Sequence, residues 1–390
     1  MKKYDVIILG AGASGMFCAA NIYDGLKVAV VDHNEVALSK VKISGGGRCN
    51  FTNENISHDN YVSKNNKFCI SALKQFTSQD FIQIVKENDI EFSHKKLGQL
   101  FCVNKSGEII KLLKKLCSNK DINFIYNSSI KKVSRNEDIF VVETSKGKLS
   151  AKNVVVATGG MSFVNLGATD IGYKIARDFG IKIVEPKPAL VPLLLNEQER
   201  FDKLSGLSLN VKVRCENKEY KDDLLFTHFG LSGPAILKIS SYWDHGKTIE
   251  IDFLPSRDIK KYFQDSKSKF PKKKLSTLLS VILPNKLVLH IMERHFKDIE
   301  IGNISDVKLE NFASLIHNYK LTPNGTKGFA MAEVTKGGVD VNEISSKTFE
   351  SKRISNLFFI GEVLDVAGDL GGYNLQWAWS SGYAASQNIY

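Results

Sequence analysis

The chain has 390 residues, 43% hydrophobic and 24% charged, which is too long for one compact core and suits two or three globular domains. No apolar run is long and glycine-free enough to span a membrane. Lys and Arg outnumber Asp and Glu by 53 to 42, a formal charge of +11 that would suit an anionic cofactor or a nucleic acid. The lysines are dispersed, however, and the densest run, KFPKKKL at Lys269–Leu275, reads as a solvated linker and helix start. Nucleic acid is therefore not expected as a partner. The six cysteines form no CxxC pair, which predicts neither a zinc site nor a redox disulfide and points to a reduced, cytoplasmic protein.

The first segment, YDVIILGAGASGMFCAANIYDGLKVAVVDHN, fits a dinucleotide-binding βαβ unit. A secretory signal is excluded by Asp5 directly after the lysines and by the glycines that interrupt the apolar stretch. Residues 4–9 read as a buried strand, Met16–Tyr23 as a helix and KVAVVD as a second strand. Gly10, Gly12 and Gly15 divide three tasks: a tight turn, backbone approach to a pyrophosphate, and close helix–strand packing. Ala13 and Ser14 stand between them, where the first helical N–H groups can face phosphate. Asp32, with His33 beside it, lies where a carboxylate can accept ribose hydroxyls, and it disfavours a 2′-phosphate. This unit alone leaves NAD and FAD open.

KISGGGRCNFTN follows, a flexible glycine loop suited to wrapping a pyrophosphate. Its candidate ligands are Lys42, Gly46, Gly47, Arg48, Cys49 and Asn50, with Arg48 the fixed cation. Lys67–Asn88 and GEIIKLLKKLCSNKDI read as amphipathic helices. A β-meander leads into NVVVATGG, whose Thr158, Gly159 and Gly160 end a buried strand where open α/β sheets bind ligands.

From Pro186 prolines mark a crossing into an insertion whose short strands suit a small antiparallel sheet or barrel, followed by four helical stretches between Arg257 and Lys320. The last segment, IGEVLDVAGDLGGYNLQWAWSSGYAA, is a second strand–glycine–helix junction. Gly361 and Glu362 follow its strand, and Glu362 can bond polyol hydroxyls. Gly372, Tyr373, Asn374, Leu375 and Gln376 open a helix whose N-terminus can stabilise negative charge on a ring carbonyl. A dinucleotide at the first junction and a polar planar group at the last imply FAD. Trp377 and Trp379 read as packing.

With KISGGGRCNFTN, LLFTHFGLSGPAIL, EVTKGGVDVNEI, TFESK and GEVLDVAGDLGGYNLQWAWSSG assembled, nearly the whole chain resembles the YhiN/BaiN-type flavoproteins, also labelled aminoacetone oxidase family FAD-binding enzymes. It departs from them in GQLFCVNKSGE, where Cys102 replaces the usual proline. The resemblance implies an α/β fold: a Rossmann-like FAD/NAD(P)-binding domain (1–188 and 331–390) split by an insertion. That insertion would comprise a β-barrel-like substrate domain (189–255 and 321–330) and a helical subdomain (256–320). FAD contacts are implied at Gly10–Gly15, Asp32, Arg48–Asn50, Thr158–Gly160, Glu362 and Gly372–Gln376. No second GxGxxG appears, so NAD(P)H would visit the flavin transiently. The expected reaction is reduction of a small organic substrate, an enone-like C=C bond among the candidates, with His228 as proton donor. The alternatives are a flavoprotein that modifies tRNA or other nucleic acid, an amine or aminoketone oxidase, and a non-enzymatic scaffold.

Overall fold

The computed structural model describes residues 1–390 and divides them into two units, Met1–Ala189 with Phe329–Tyr390 and Leu190–Gly328.

Unit 1 begins with β1 (Lys2–Leu9), α1 (Ala13–Asn21) and β2 (Val28–Val31). The apolar runs VIIL and VAVV are buried on both faces, as parallel strands between helical layers require. β3 (Ile122–Ile125) extends this sheet beyond β2. A meander of β4 (Ile130–Asn136), β5 (Ile139–Thr144) and β6 (Gly147–Val156) then returns the chain to the far side of β1. α2 (Ile171–Asp178) and β7 (Ile183–Ala189) complete the first segment. The predicted helix over Lys67–Asn88 is two helices, Ile70–Gln75 and Ser78–Glu87. The break falls at Thr77, whose hydroxyl accepts the Asp80 N–H while the Asp80 carboxylate accepts the Thr77 N–H. A capping box stronger than the amphipathic period restarts the helix there.

Unit 2 is a seven-stranded antiparallel sheet with helices. In chain order it contains β8 (Leu193–Leu194), β9 (Ser208–Cys215), β10 (Lys218–Thr227), β11 (Gly230–Ser232), α3 (Pro234–Ser240) and β12 (Ile249–Asp252). Four helices follow, α4 (Ile259–Lys269), α5 (Leu275–Leu279), α6 (Asn285–His295) and α7 (Asp306–His317). Two short strands end it, β13 (Tyr319–Leu321) and β14 (Gly325–Thr326). The sheet order is β13-β12-β9-β10-β11-β8-β14. Its end strands do not pair with each other, so the expected barrel is an open sheet. One apolar cluster runs from Val211 and Phe226 on the strands to Phe263, Leu287 and Phe312 on the helices, so sheet and helices share a core.

The chain re-enters unit 1 through β15 (Val334–Val339), which pairs antiparallel with β7. β16 (Leu357–Phe359) adds a parallel strand to β6, and α8 (Tyr373–Ser386) packs on α1. The registers align Leu9 with Val31 and Val156, and Val156 with Phe359. The turns after β1, β2, β6 and β16 therefore leave one edge of the sheet together, at the carboxyl ends where open α/β sheets carry their ligands. No helix is long and apolar enough to cross a membrane.

Candidate functional site

The three N-terminal glycines have separable duties. A Cβ on Gly10 (φ +112°) would collide with the Ala157 carbonyl, and one on Gly15 would strike the Gly10 carbonyl oxygen. One on Gly12 would meet nothing within 4 Å. The outer glycines therefore hold turn and packing, while the middle one faces open space beside the unbonded N–H groups of the first turn of α1. Asp32 leans into the same turn: Oδ2 accepts the Ala11 N–H at 2.7 Å and Oδ1 the Asn34 N–H at 2.8 Å. His33 places Nδ1 3.7 Å from Asp32 Oδ1 and buries Nε2 with no partner.

A helical turn from Ser39 ends where the SGGGRC stretch begins: Ser44 is extended (ψ 145°), and Gly45, Gly46 and Gly47 turn left-handed. Arg48 beyond it is exposed, its guanidinium 5.4 Å from the Phe101 ring centroid. Cys49 is buried, so it packs rather than reacts. Lys42, the lysine expected to serve the site, points to solvent. Lys40 takes the inward place, because two residues along a helix turn the side chain by roughly 200°. Its Nζ lies 2.6 Å from Glu362 Oε2 and 2.8 Å from Ser162 Oγ. Glu362 Oε1 accepts the Ser162 hydroxyl at 2.9 Å and the Thr335 N–H at 3.0 Å. Glu362 thus joins the Lys40 helix, the loop after β6 and β15, leaving Oε2 one lone pair for a hydroxyl. Lys40 was missed because no spacing rule distinguishes it from Lys42. Glu333 is half-buried nearby; burial raises its carboxyl pKa and the Lys40 charge opposes the rise.

At the second junction Gly372 (φ +95°) sits so close to the Thr52 carbonyl that a Cβ would collide with it. With its amide oriented to satisfy both ends, Asn50 accepts the Gly372 N–H at 3.1 Å. The first intrahelical bond of α8 runs from the Gln376 N–H to the Gly372 carbonyl, so the N–H groups of Tyr373, Asn374 and Leu375 are left free of it. The Asn374 side chain pairs with both backbone groups of Gly368 at 2.8 Å. Fully buried Gln376 accepts the Thr52 hydroxyl at 2.6 Å and donates to Phe76 O and Ser380 Oγ. These two amides brace the turn, and the backbone is what remains for a ligand. Trp377 and Trp379 are buried and bonded to the Gly361 and Phe51 carbonyls, with Trp379 stacked on Phe81 at 4.6 Å, so they pack as expected.

Thr158 and Gly159 leave β6 at the same edge, and Gly159, like Gly46 and Gly47, opens onto free space. Gly160 is pressed against Thr335 and Glu362, and Gly361 against the Ser14 hydroxyl. Three buried polar atoms here lack partners: Thr158 Oγ1, His33 Nε2 and Tyr173 Oη. Burial, with the Glu362 and Asp365 charges, raises the Tyr173 pKa. Orphaned polar atoms, two free helix N-termini and glycines facing open space fit a long anionic dinucleotide such as FAD.

His228 lies in unit 2, in the turn between β10 and β11. Its ring is exposed and sits edge-on to Phe229 at 5.0 Å, with no hydrogen bond of its own. It does not tie the loop to the backbone; Thr227 does, by donating to Gly230 O at 2.9 Å. All six cysteines are buried, and burial pushes the thiols of Cys69 and Cys117 up to about 12 and that of Cys102 to about 11.

The family described as HI0933-like protein Rossmann domain matches residues 4–388. A ribosomal RNA dihydrouridine synthase of Haemophilus influenzae is 45% identical, covering 100% of this chain and 99% of its own. One from Escherichia coli is 40% identical over 100% and 98%. The 3-dehydro-bile acid delta(4,6)-reductase of Clostridium scindens is 28% identical over 97% of each. Among solved structures, quinol fumarate reductase FrdA of E. coli superposes with a TM-score of 0.51 at 15% identity, covering 100% of this chain and 70% of that one, a likeness of fold. The two RNA-directed relatives overturn the expectation that nucleic acid is no partner. Dispersion of lysines along a sequence does not measure their clustering on a surface. The chain belongs to the HI0933-like family and is an FAD-dependent reductase.

Proposed function

We propose that this HI0933-like reductase saturates the C5=C6 bond of uridine in ribosomal RNA, with FAD as cofactor and NADH or NADPH as reductant. The observation that carries the reading is end-to-end identity of 45% and 40% to two ribosomal RNA dihydrouridine synthases. The bile-acid reductase supports the reaction class, since the uracil bond and a dienone bond are both conjugated to a carbonyl. FAD, when bound, supplies hydride chemistry, and the protein supplies position and electrostatics.

Gly12 and the first turn of α1 would receive the diphosphate. The free N–H groups at the start of α8 would favour negative charge on a ring carbonyl. The Lys40–Glu362 pair keeps the three segments around it in register and offers Oε2 to a polyol hydroxyl. Reduction adds one hydride equivalent to C6 and one proton to C5. No thiol is exposed to give that proton, and the unbonded imidazole of His228 is proposed to give it.

The test is anaerobic: the purified flavoprotein's visible spectrum with NADH and then NADPH, followed by unmodified ribosomal RNA transcript and mass analysis of its nucleosides. Bleaching by one reductant and a uridine gaining two mass units are expected. Bleaching without any reduced uridine would overturn the substrate, and a colourless protein after incubation with FAD would overturn the cofactor.

A further inference from the structure

The stretch Arg257–Lys274 of unit 2, comprising α4 and the turn into α5, holds eight lysines and arginines against two aspartates. Asp258 is engaged in capping α4, its Oδ1 accepting the Lys261 N–H at 3.1 Å. Lys267 is neutralised by Asp306 at 2.7 Å. Lys269, Lys272, Lys273 and Lys274 are exposed and make no ion pair, unlike Lys203 and Lys247 of the same unit, which pair with Glu293 and Glu216. Beside them Phe270 leaves 45% of its surface in solvent, with Lys273 Nζ 4.5 Å from its ring centroid.

The turn is held by its neighbours. Pro271 O accepts the Gly302 N–H at 2.9 Å, Lys273 O accepts the Ile301 N–H at 2.9 Å, and the Leu275 N–H donates to Ile299 O at 3.1 Å. A Cβ on Gly302 would approach Pro271 O to 2.9 Å, so the two strands of this turn lie as close as backbone allows. The carboxylates opposite keep their charge but are held by neutral donors rather than by these lysines: Asp298 accepts the Ser276 N–H and hydroxyl, and Glu300 accepts the Asn303 amide at 3.3 Å. Four ammonium groups without an ion pair and one aromatic ring are thus displayed from a fixed backbone.

We propose that this ridge docks a single-stranded segment of ribosomal RNA, the lysines meeting successive phosphates and Phe270 stacking on an unpaired base. The inference rests on the RNA reading given above and names the surface that would select such a substrate. Repeated phosphates match a row of unpaired lysines, and a lone exposed ring suits a base. A membrane surface would call for a broad apolar face beside the charges, which one phenylalanine does not supply.

The test uses the FAD-loaded full chain and an unmodified ribosomal RNA transcript in three variants: Lys269→Ala/Lys272→Ala/Lys273→Ala, the same triple to Arg, and Phe270→Ala. Loss of three contacts should raise the Kd at least 10-fold and flatten the slope of log affinity against log salt by about 2. Phe270→Ala should weaken binding by about 5- to 100-fold. The arginine triple should bind as the parent does, and bleaching by NAD(P)H should be unchanged in all. An alanine triple with parental Kd and salt slope overturns the docking surface. So does an arginine triple that loses binding along with the alanine one, because charge is then not the cause. A parent protein that neither binds the transcript nor reduces its uridines overturns the RNA reading itself.

Discussion

Unit 1 and unit 2 recruit charge in opposite ways. In unit 1 Lys40, Glu362 and Asp32 are drawn inward and satisfied by protein, so apart from the exposed Arg48 and Lys42 what faces the open space is backbone N–H and bare glycine. In unit 2 the densest charge stays outside and unpaired, on a turn whose backbone is well bonded. A buried dinucleotide site gains little from loose ammonium groups, which would need desolvation, whereas a polyanion surface gains most from them.

The largest test of that contrast lies in the glycines. Gly15→Ala drives a Cβ into the Gly10 carbonyl and should destabilise unit 1 by roughly 3 kcal/mol or more and abolish FAD binding, read by thermal unfolding and visible absorbance. Gly12→Ala should leave the fold intact yet cut FAD affinity at least about 100-fold, because its methyl group enters only the open space above α1. Parental FAD affinity in Gly12→Ala would refute the cradle. Next in size, His228→Asn should slow uridine reduction by about 100-fold or more while flavin bleaching by NAD(P)H stays parental, measured by single-turnover kinetics. If both rates fall together, the residue acts on folding rather than on the proton.

A smaller effect comes from the half-buried pair. Lys40→Met leaves Glu362 without its cation and should destabilise unit 1 by about 1–3 kcal/mol, below a fully buried pair because Lys40 is 38% exposed. Adding Glu362→Gln should recover part of that loss in a double-mutant cycle.

The smallest effects separate the units by pH. Burial lowers the His290 pKa to about 4, below its ordinary 6.5, so the unfolded chain binds the extra proton between those values. Its contribution is complete above pH 6.5 and declines as pH falls toward 4, and His290→Phe, beside Phe201, should flatten that decline. In unit 1, burial raises Asp365 to about 6 from 3.8, so folding is penalised as pH rises through that window. Asp365→Asn should therefore stabilise at pH 7 and leave stability at pH 3.5 unchanged, by urea unfolding at each pH.

Local chemistry was readable in the sequence and distant chemistry was not. The glycines at 10, 12 and 15, the acid at the end of β2 and the glycine turn before α8 announce themselves because neighbouring residues determine each shape. Glu362 was singled out, but its three protein donors come from Lys40, Ser162 and Thr335, up to 322 residues away. Gln376 likewise bonds Thr52 and Phe76, partners 324 and 300 residues away that no local pattern names. For the strands of unit 2 the sequence leaves open sheet and barrel as alternatives, because strand propensity says nothing about whether end strands meet. KFPKKKL was recognised as a solvated turn, and only the fold shows that its lysines lack partners and its phenylalanine is exposed.

The packing of α8 on α1, closed by Gln387 donating to the Asn21 carbonyl across 366 residues, sets a timetable for synthesis. At roughly 5–20 residues per second, the nascent α1 waits about 20–70 s for its lid. Unit 2 leaves the ribosome within that interval with its sheet and helices complete, while β1 and β6 still lack β16 beside them.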